Sequence, residues 1–168
     1  MEHIKQDQII NIPNALTVVR ILLLPVVVWR FVIGDATGAL IAYLAAMLTD
    51  ALDGIIARKF NQITALGKLL DPLADKLLVC SAMICLIPSG KLPTAIVIVI
   101  IAREFIISGF RLVAADNGIV IAASYWGKFK TVFQMLMVIV LILDIPNPFF
   151  AVLGTVLTYI ALALTVVS

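Results

Sequence analysis

Long apolar runs occupy most of the chain, and short polar turns separate them. A helix needs about 20 residues to cross roughly 30 Å of hydrocarbon. Runs of that kind lie near 14–33, 39–60, 68–88, 92–113, 129–146 and 148–167. Turn-forming residues fill the gaps, at 34–38, 88–93, 116–118 and 144–148. The pattern predicts an all-α, polytopic membrane protein with six transmembrane helices, folded as a single membrane-embedded domain over residues 1–168.

The composition also indicates a membrane protein. Apolar residues make up 63% of the sequence and charged residues 13%, and the mean hydropathy is +1.18, which excludes an ordinary soluble domain. Charged residues occur among the first ten and no small-residue cleavage site follows, so no signal peptide is expected. We expect residues 1–13 to form a cytoplasmic or interfacial segment. Cys80 and Cys85 are expected to pack as small apolar side chains.

The basic residues are divided unevenly between the two ends of the predicted spans. With six spans, both termini lie on one side, and ten of the twelve basic residues fall on or toward that side. These ten are Lys5, Arg20, Arg58, Lys59, Lys68, Lys76, Arg103, Arg111, Lys128 and Lys130. Because positive residues favour the cytoplasm, both termini are expected to face it.

The segment 47–76 places aspartates where the pattern otherwise indicates membrane helix. Asp50 comes about eleven residues into its span, roughly halfway across at 1.5 Å per residue. An ionised carboxylate at a helix centre costs about 2.5–3.5 kcal/mol, so its charge must be compensated. At about 100° per residue, Asp50 and Asp53 share one face of the second helix. Asp71 and Asp75 share a face of the third.

These four carboxylates predict an all-oxygen metal site between the second and third helices. The segment contains no His or Cys, which favours Mg²⁺, Mn²⁺ or Ca²⁺ over zinc. Two divalent ions would balance four aspartates, and such pairs commonly clamp phosphate during an in-line displacement. The alternative is a solvated loop in which the aspartates pair with neighbouring basic residues.

Small residues accompany the carboxylates on the second helix. Gly54 and Ala57 remove side-chain bulk where a ligand could approach closely, although Gly54 could equally serve helix packing. Arg58 offers a planar donor fork to a phosphate or a base. The segment therefore favours a site for phosphate transfer.

The stretch DALDGIIAR at 50–58, followed after eight residues by GKLLDPLAD at 67–75, resembles the signature of the CDP-alcohol phosphotransferases. That signature has the form D-x-x-D-G-x-x-A-R-x(7 or 8)-G-x-x-x-D-x-x-x-D, and every fixed residue is present here. Within the family, the segments 11–26, 102–115 and 120–134 look like the bacterial branch that makes phosphatidylglycerol phosphate.

The resemblance implies a six-helix membrane enzyme, usually a homodimer, with membrane lipids around it. It would move a phosphatidyl group from CDP-diacylglycerol to sn-glycerol 3-phosphate and release CMP. The same resemblance implies that Asp50, Asp53 and Asp71 bind Mg²⁺ or Mn²⁺, and that Asp75 joins the metal shell and acts as the general base. The residues that would line the CDP pocket are Gly54, Ala57, Arg58 and Gly67.

Further polar residues lie outside the signature, and each has two interpretations. Asn14, Thr17 and Arg20 recur at three-residue intervals, so their face could hold the nucleotide or its phosphates; alternatively Arg20 extends to the headgroups. Arg103 is expected at mid-membrane beside Glu104. It could form a structural ion pair with Glu104 or act directly in the site. The residues that would surround the acceptor phosphate, or else bind anionic lipid headgroups, are Arg103, Arg111, Lys128 and Lys130.

Other functions would also place aspartates in a membrane. A cation or proton transporter needs access from both faces, whereas these charges cluster toward one side. A purely structural subunit would need no oriented carboxylates. Within the family, enzymes that use inositol phosphate, serine or phosphatidylglycerol as the acceptor are the main competitors. Nothing in the sequence indicates a nucleic-acid partner.

Overall fold

The computed structural model describes the backbone of residues 12–60, 65–118 and 125–168. Within those ranges it describes the side chains of residues 15–52, 70–114, 117–118, 127 and 129–168. These ranges contain six helices and no strand, which confirms the all-α prediction. The helices are α1 Ile12–Val32, α2 Ala36–Phe60, α3 Ala65–Leu86, α4 Thr94–Asp116, α5 Tyr125–Leu143 and α6 Pro148–Val167.

Short polar side chains mark the starts of two helices. The carboxylate of Asp35 accepts a hydrogen bond from the Gly38 N–H at 2.8 Å, which satisfies a free donor in the first turn of α2. At α6, Asn147 accepts from the Phe149 N–H at 2.9 Å, and Pro148 occupies the first helical position. The turn before α6 begins at Asp144, which has a positive φ of 44°.

The chain divides into two compact units, and the first ends at Leu78. In this unit α1 packs on α2. The buried residues of α2 include small residues at 39, 42 and 46, together with Tyr43. Those of α1 include Thr17, Arg20 and Val27. Small residues allow helix backbones to approach closely, so the polar side chains of α1 can reach across to their neighbours.

The second unit begins at Val79, and in it α6 packs on α5 and on α4. The buried residues of α6 follow one helical face: Gly154, Leu157, Thr158, Ala161 and Thr165. A Cβ atom at Gly154 would lie 2.9 Å from Leu141 Cδ2, so a larger residue there would require the Leu141 side chain of α5 to move.

The outer surface of the helices is apolar. All six helices expose large hydrophobic side chains, among them Leu22, Ile41, Ile84, Phe110, Leu136 and Val152. Water would make such a surface unfavourable, whereas lipid accommodates it. Two helical stretches, Ala15–Val32 and Pro148–Val167, are long and apolar enough to cross a membrane, and Ala36–Leu52 and Phe129–Leu143 are shorter apolar stretches. The structure is that of a membrane protein, and the number of spans stays a prediction.

Candidate functional site

Two buried polar side chains of α1 contact aspartates of the predicted site. Thr17 Oγ1 donates a hydrogen bond to Asp71 Oδ1 at 2.5 Å, and Arg20 Nη1 lies 2.8 Å from Asp50 Oδ1. Thr17 and Arg20 are 0% and 1% exposed. One helix thus reaches a carboxylate on α2 and another on α3. The sequence had assigned the two α1 residues to the nucleotide, and it gave no indication of these contacts.

Asp75 follows Asp71 by one helical turn on α3 and is partly exposed. It interacts electrostatically with Tyr43 of α2, a fully buried residue. The Tyr43 hydroxyl has no hydrogen-bond partner among the described residues. Asp75 therefore lies close to α2, as a site formed between α2 and α3 requires.

The described donors of this site are all carboxylate oxygens, the ligands that Mg²⁺ and Mn²⁺ prefer. Asp50, Asp71 and Asp75 are all partly exposed, so a cation could reach them from outside the protein. Among the described side chains, no three acidic, His or Cys groups form a ready ligand set, and the Asp53 side chain lies outside that part. The donor chemistry fits a hard divalent cation.

Several predicted site residues fall outside the described side chains. This group comprises Asn14, Asp53, Gly54, Ala57, Arg58, Gly67 and Lys128. Their assignments to the metal, the nucleotide pocket and the acceptor phosphate stay predictions.

The second unit contains a buried ion pair between α4 and α5. Lys130 Nζ contacts Glu104 Oε1, and the two residues are 5% and 8% exposed. One turn further along α5, Gln134 donates to Thr165 Oγ1 of α6 at 3.2 Å. The sequence had placed Glu104 beside Arg103, although adjacent residues of a helix point about 100° apart. That rotation was the available signal that Glu104 should face another helix.

Arg103 and Arg111, the other described residues assigned to the acceptor phosphate, are partly exposed on α4. Neither makes an ion pair with a side chain in the described ranges. They lie eight residues apart, which places them about 12 Å apart along the helix. Their partial exposure is compatible with contact to an anionic partner, whether this is a substrate or a lipid headgroup.

A separate polar cluster lies at the turn between α1 and α2. Arg30 Nη1 is 2.8 Å from Asp35 Oδ2, and the Arg30 guanidinium stands 5.5 Å from the centre of the Trp29 ring. The hydrogen bond from the Gly38 N–H, with Arg30 as a further cause, holds the pKa of Asp35 below its usual value. At the other polar turns, Lys91 pairs with Asp144 at 2.9 Å.

The family model for CDP-alcohol phosphatidyltransferases matches residues 10–167. Curated relatives named CDP-diacylglycerol–glycerol-3-phosphate 3-phosphatidyltransferase are similar to this chain. The protein of Bacillus subtilis is 43% identical over 79% of this chain and 77% of its own length. Those of Rickettsia felis and Haemophilus influenzae are 36% and 38% identical, each over 94% of this chain and over 91% and 89% of their own lengths.

Proposed function

The chain belongs to the CDP-alcohol phosphatidyltransferase family, and we propose that it transfers a phosphatidyl group from CDP-diacylglycerol to sn-glycerol 3-phosphate. This is a phosphatidylglycerophosphate synthase activity. The observation that supports it is that relatives sharing 36–43% identity over most of the chain are named for this donor and this acceptor. The same names argue against inositol phosphate, serine or phosphatidylglycerol as the acceptor.

In the proposed reaction, a hydroxyl oxygen of glycerol 3-phosphate forms a bond to the β-phosphorus of CDP-diacylglycerol. The bond between that phosphorus and the oxygen bridging to the α-phosphate breaks, and CMP leaves with the bridging oxygen. Asp75 accepts the proton of the attacking hydroxyl. Its partly exposed position near α2 supports this role, because a general base must reach its substrate.

We propose that Asp50, Asp53, Asp71 and Asp75 hold a divalent metal, Mg²⁺ or Mn²⁺, and that two ions bind. When bound, the metal supplies positive charge next to the diphosphate. The carboxylate donors that α2 and α3 carry support this assignment.

The remaining assignments are also part of the proposal. The CDP pocket is formed by Asn14, Thr17, Arg20, Gly54, Ala57, Arg58 and Gly67. The acceptor phosphate binds to Arg103, Arg111, Lys128 and Lys130, of which Arg103 and Arg111 are supported by their partial exposure. Lys130 would have to bind the phosphate while it contacts Glu104.

We propose that all six helices span the membrane as one domain, with both termini and the active site toward the cytoplasm, and that the protein is a homodimer. The apolar side chains exposed on every helix support the six spans. The excess of basic residues on one side supports the orientation.

The test uses the purified full-length protein in detergent micelles with radiolabelled CDP-diacylglycerol and Mg²⁺ or Mn²⁺. Acceptors are supplied singly, and CMP release is measured. Glycerol 3-phosphate is expected to support turnover, while glycerol, serine and inositol phosphate are not. Excess EDTA should abolish the activity, and added Mn²⁺ should restore it.

Three outcomes would contradict the proposal. Turnover with another acceptor alone would assign a different transferase activity, and full turnover in EDTA would exclude the metal. No CMP release with any acceptor, together with cation flux in proteoliposomes, would favour a transporter.

A further inference from the structure

The α1 helix supports the predicted metal site through two contacts that the family signature does not contain. Thr17 and Arg20 are three residues apart, so they lie on neighbouring positions of one helical face. Thr17 Oγ1 donates a hydrogen bond to Asp71 Oδ1 at 2.5 Å. Arg20 forms an ion pair with Asp50, with Nη1 2.8 Å from Oδ1. A single turn of α1 therefore fixes one carboxylate from each of the two acidic helices.

Exposure is unequal within these contacts. The Arg20 side chain is 1% exposed, whereas that of Asp50 is 37% exposed. Thr17 is likewise fully buried, whereas Asp71 is partly exposed. The α1 residues thus approach the carboxylates from inside the protein, and the carboxylates open outward. This arrangement is expected when the protein contacts one oxygen of a metal-binding carboxylate and the other oxygen is available to a cation.

The burial of Arg20 also argues against a role in packing alone. Desolvating a guanidinium is unfavourable unless a counter-charge and hydrogen bonds compensate for it. An apolar side chain at position 20 would pack against α2 without that requirement. The buried charge at this position is explained if its task is to orient Asp50.

We propose that Thr17 and Arg20 are positioning residues, each of which holds one oxygen of a carboxylate so that the second oxygen can bind a divalent cation. Thr17 acts on Asp71 and Arg20 acts on Asp50. This inference rests on the proposed function, because it requires that the aspartates bind the metal. It is made in addition to the assignment of the same residues to the CDP pocket, and it can be tested separately because its effect should appear when no nucleotide is present.

Thr17 gives the simpler test, because it is neutral. Removing its hydroxyl changes no charge, whereas removing Arg20 also removes a positive charge that repels the cation. Outer-shell partners of metal ligands typically contribute about 10- to 100-fold to metal affinity. Thr17→Val keeps the shape of the side chain and is expected to weaken metal binding by this factor. Thr17→Ser keeps the hydroxyl and is expected to stay close to the wild type.

The experiment measures Mn²⁺ binding to the full-length protein in micelles by electron paramagnetic resonance, without any nucleotide or acceptor. The matched control is Thr158→Val, since Thr158 is also buried and its hydroxyl donates to the Gly154 carbonyl of its own helix. This control should leave the affinity for Mn²⁺ unchanged.

An unchanged affinity for Mn²⁺ in Thr17→Val would overturn the proposal. If the KM for CDP-diacylglycerol rose while the Mn²⁺ affinity stayed unchanged, Thr17 would act in the nucleotide pocket only. If Thr17→Val does not fold, Arg20→Lys takes its place. Its shorter donor should weaken Mn²⁺ binding about 10-fold or more, and wild-type affinity would overturn the idea. Failure of the transferase assay with normal Mn²⁺ binding would instead contradict the proposed function alone.

Discussion

The buried pair of Glu104 and Lys130 gives a prediction about stability. Their side chains are 10% and 7% exposed, so both charges are largely removed from solvent. Removing one partner of such a pair typically destabilises a protein by about 3–5 kcal/mol, because it leaves a charge buried. Glu104→Gln keeps the size of the side chain and removes this counter-charge. We therefore expect a loss of about 3 kcal/mol or more in the free energy of unfolding.

The second half of the same prediction is that removing both charges restores stability. Replacing a buried ion pair by apolar residues of similar volume is often neutral or stabilising by about 1–4 kcal/mol. The double variant Glu104→Leu with Lys130→Met should therefore be far more stable than Glu104→Leu alone or Lys130→Met alone. The assay is reversible unfolding in mixed micelles by titration with a denaturing detergent, read by circular dichroism as a double-mutant cycle.

The control for this cycle is the exposed pair at the turn before α6. Asp144 is 67% exposed beside Lys91, and such pairs contribute about 0–1 kcal/mol. Asp144→Asn also suits the positive φ at this position. If Glu104→Gln is no more destabilising than Asp144→Asn, or if the two charge removals are simply additive, the pair does not stabilise the fold. The double variant also tests Lys130 itself, since an unchanged KM for glycerol 3-phosphate would remove it from the acceptor site.

Three further predictions concern single side chains. Asp75→Asn should lower turnover about 10²- to 10⁴-fold, as expected for a general base, with a smaller effect on CDP-diacylglycerol binding; equal losses in both would favour a metal ligand only. Arg111→Ala should raise the KM for glycerol 3-phosphate by roughly 10- to 150-fold, the loss of one charged hydrogen bond, while a parallel rise for CDP-diacylglycerol would indicate a lipid contact. In the folded protein, the hydrogen bond from the Gly38 N–H lowers the pKa of Asp35. The Asp35 carboxylate should therefore contribute fully to stability above the unfolded pKa of about 3.9. This contribution should disappear as the pH falls through the lower pKa of the folded state. The thermal stability of Asp35→Ala should therefore approach that of the wild type at acid pH, and a difference independent of pH would contradict this reasoning.

The sequence predicted the helices well because their apolar length determines them. The run near 148–167 corresponds to α6, Pro148–Val167, and that near 14–33 to α1, Ile12–Val32. The largest difference is at α5, which begins at Tyr125 although its apolar run starts near 129. Hydropathy detects the segment that lipid can cover, whereas a helix continues as long as its backbone hydrogen bonds do.

The candidate site was predictable only in part. Spacing indicated which aspartates share a helix face, because that depends on local geometry alone. The contacts of Thr17 with Asp71 and of Lys130 with Glu104 join residues far apart in the sequence. They depend on how each helix is rotated against its neighbours, and one sequence does not determine that rotation.

Trp29 and Arg30, near the end of α1, are suited to the boundary between lipid and water. Arg20, which holds Asp50, lies ten residues earlier on the same helix, a distance of about 15 Å. That distance is half of a hydrocarbon layer roughly 30 Å thick. If α1 spans the membrane with this end at one boundary, as proposed, a thicker bilayer leaves more lipid between Asp50 and the opposite surface. In that arrangement the acyl-chain length of the surrounding membrane would set how far a water-soluble acceptor must enter to reach the aspartates.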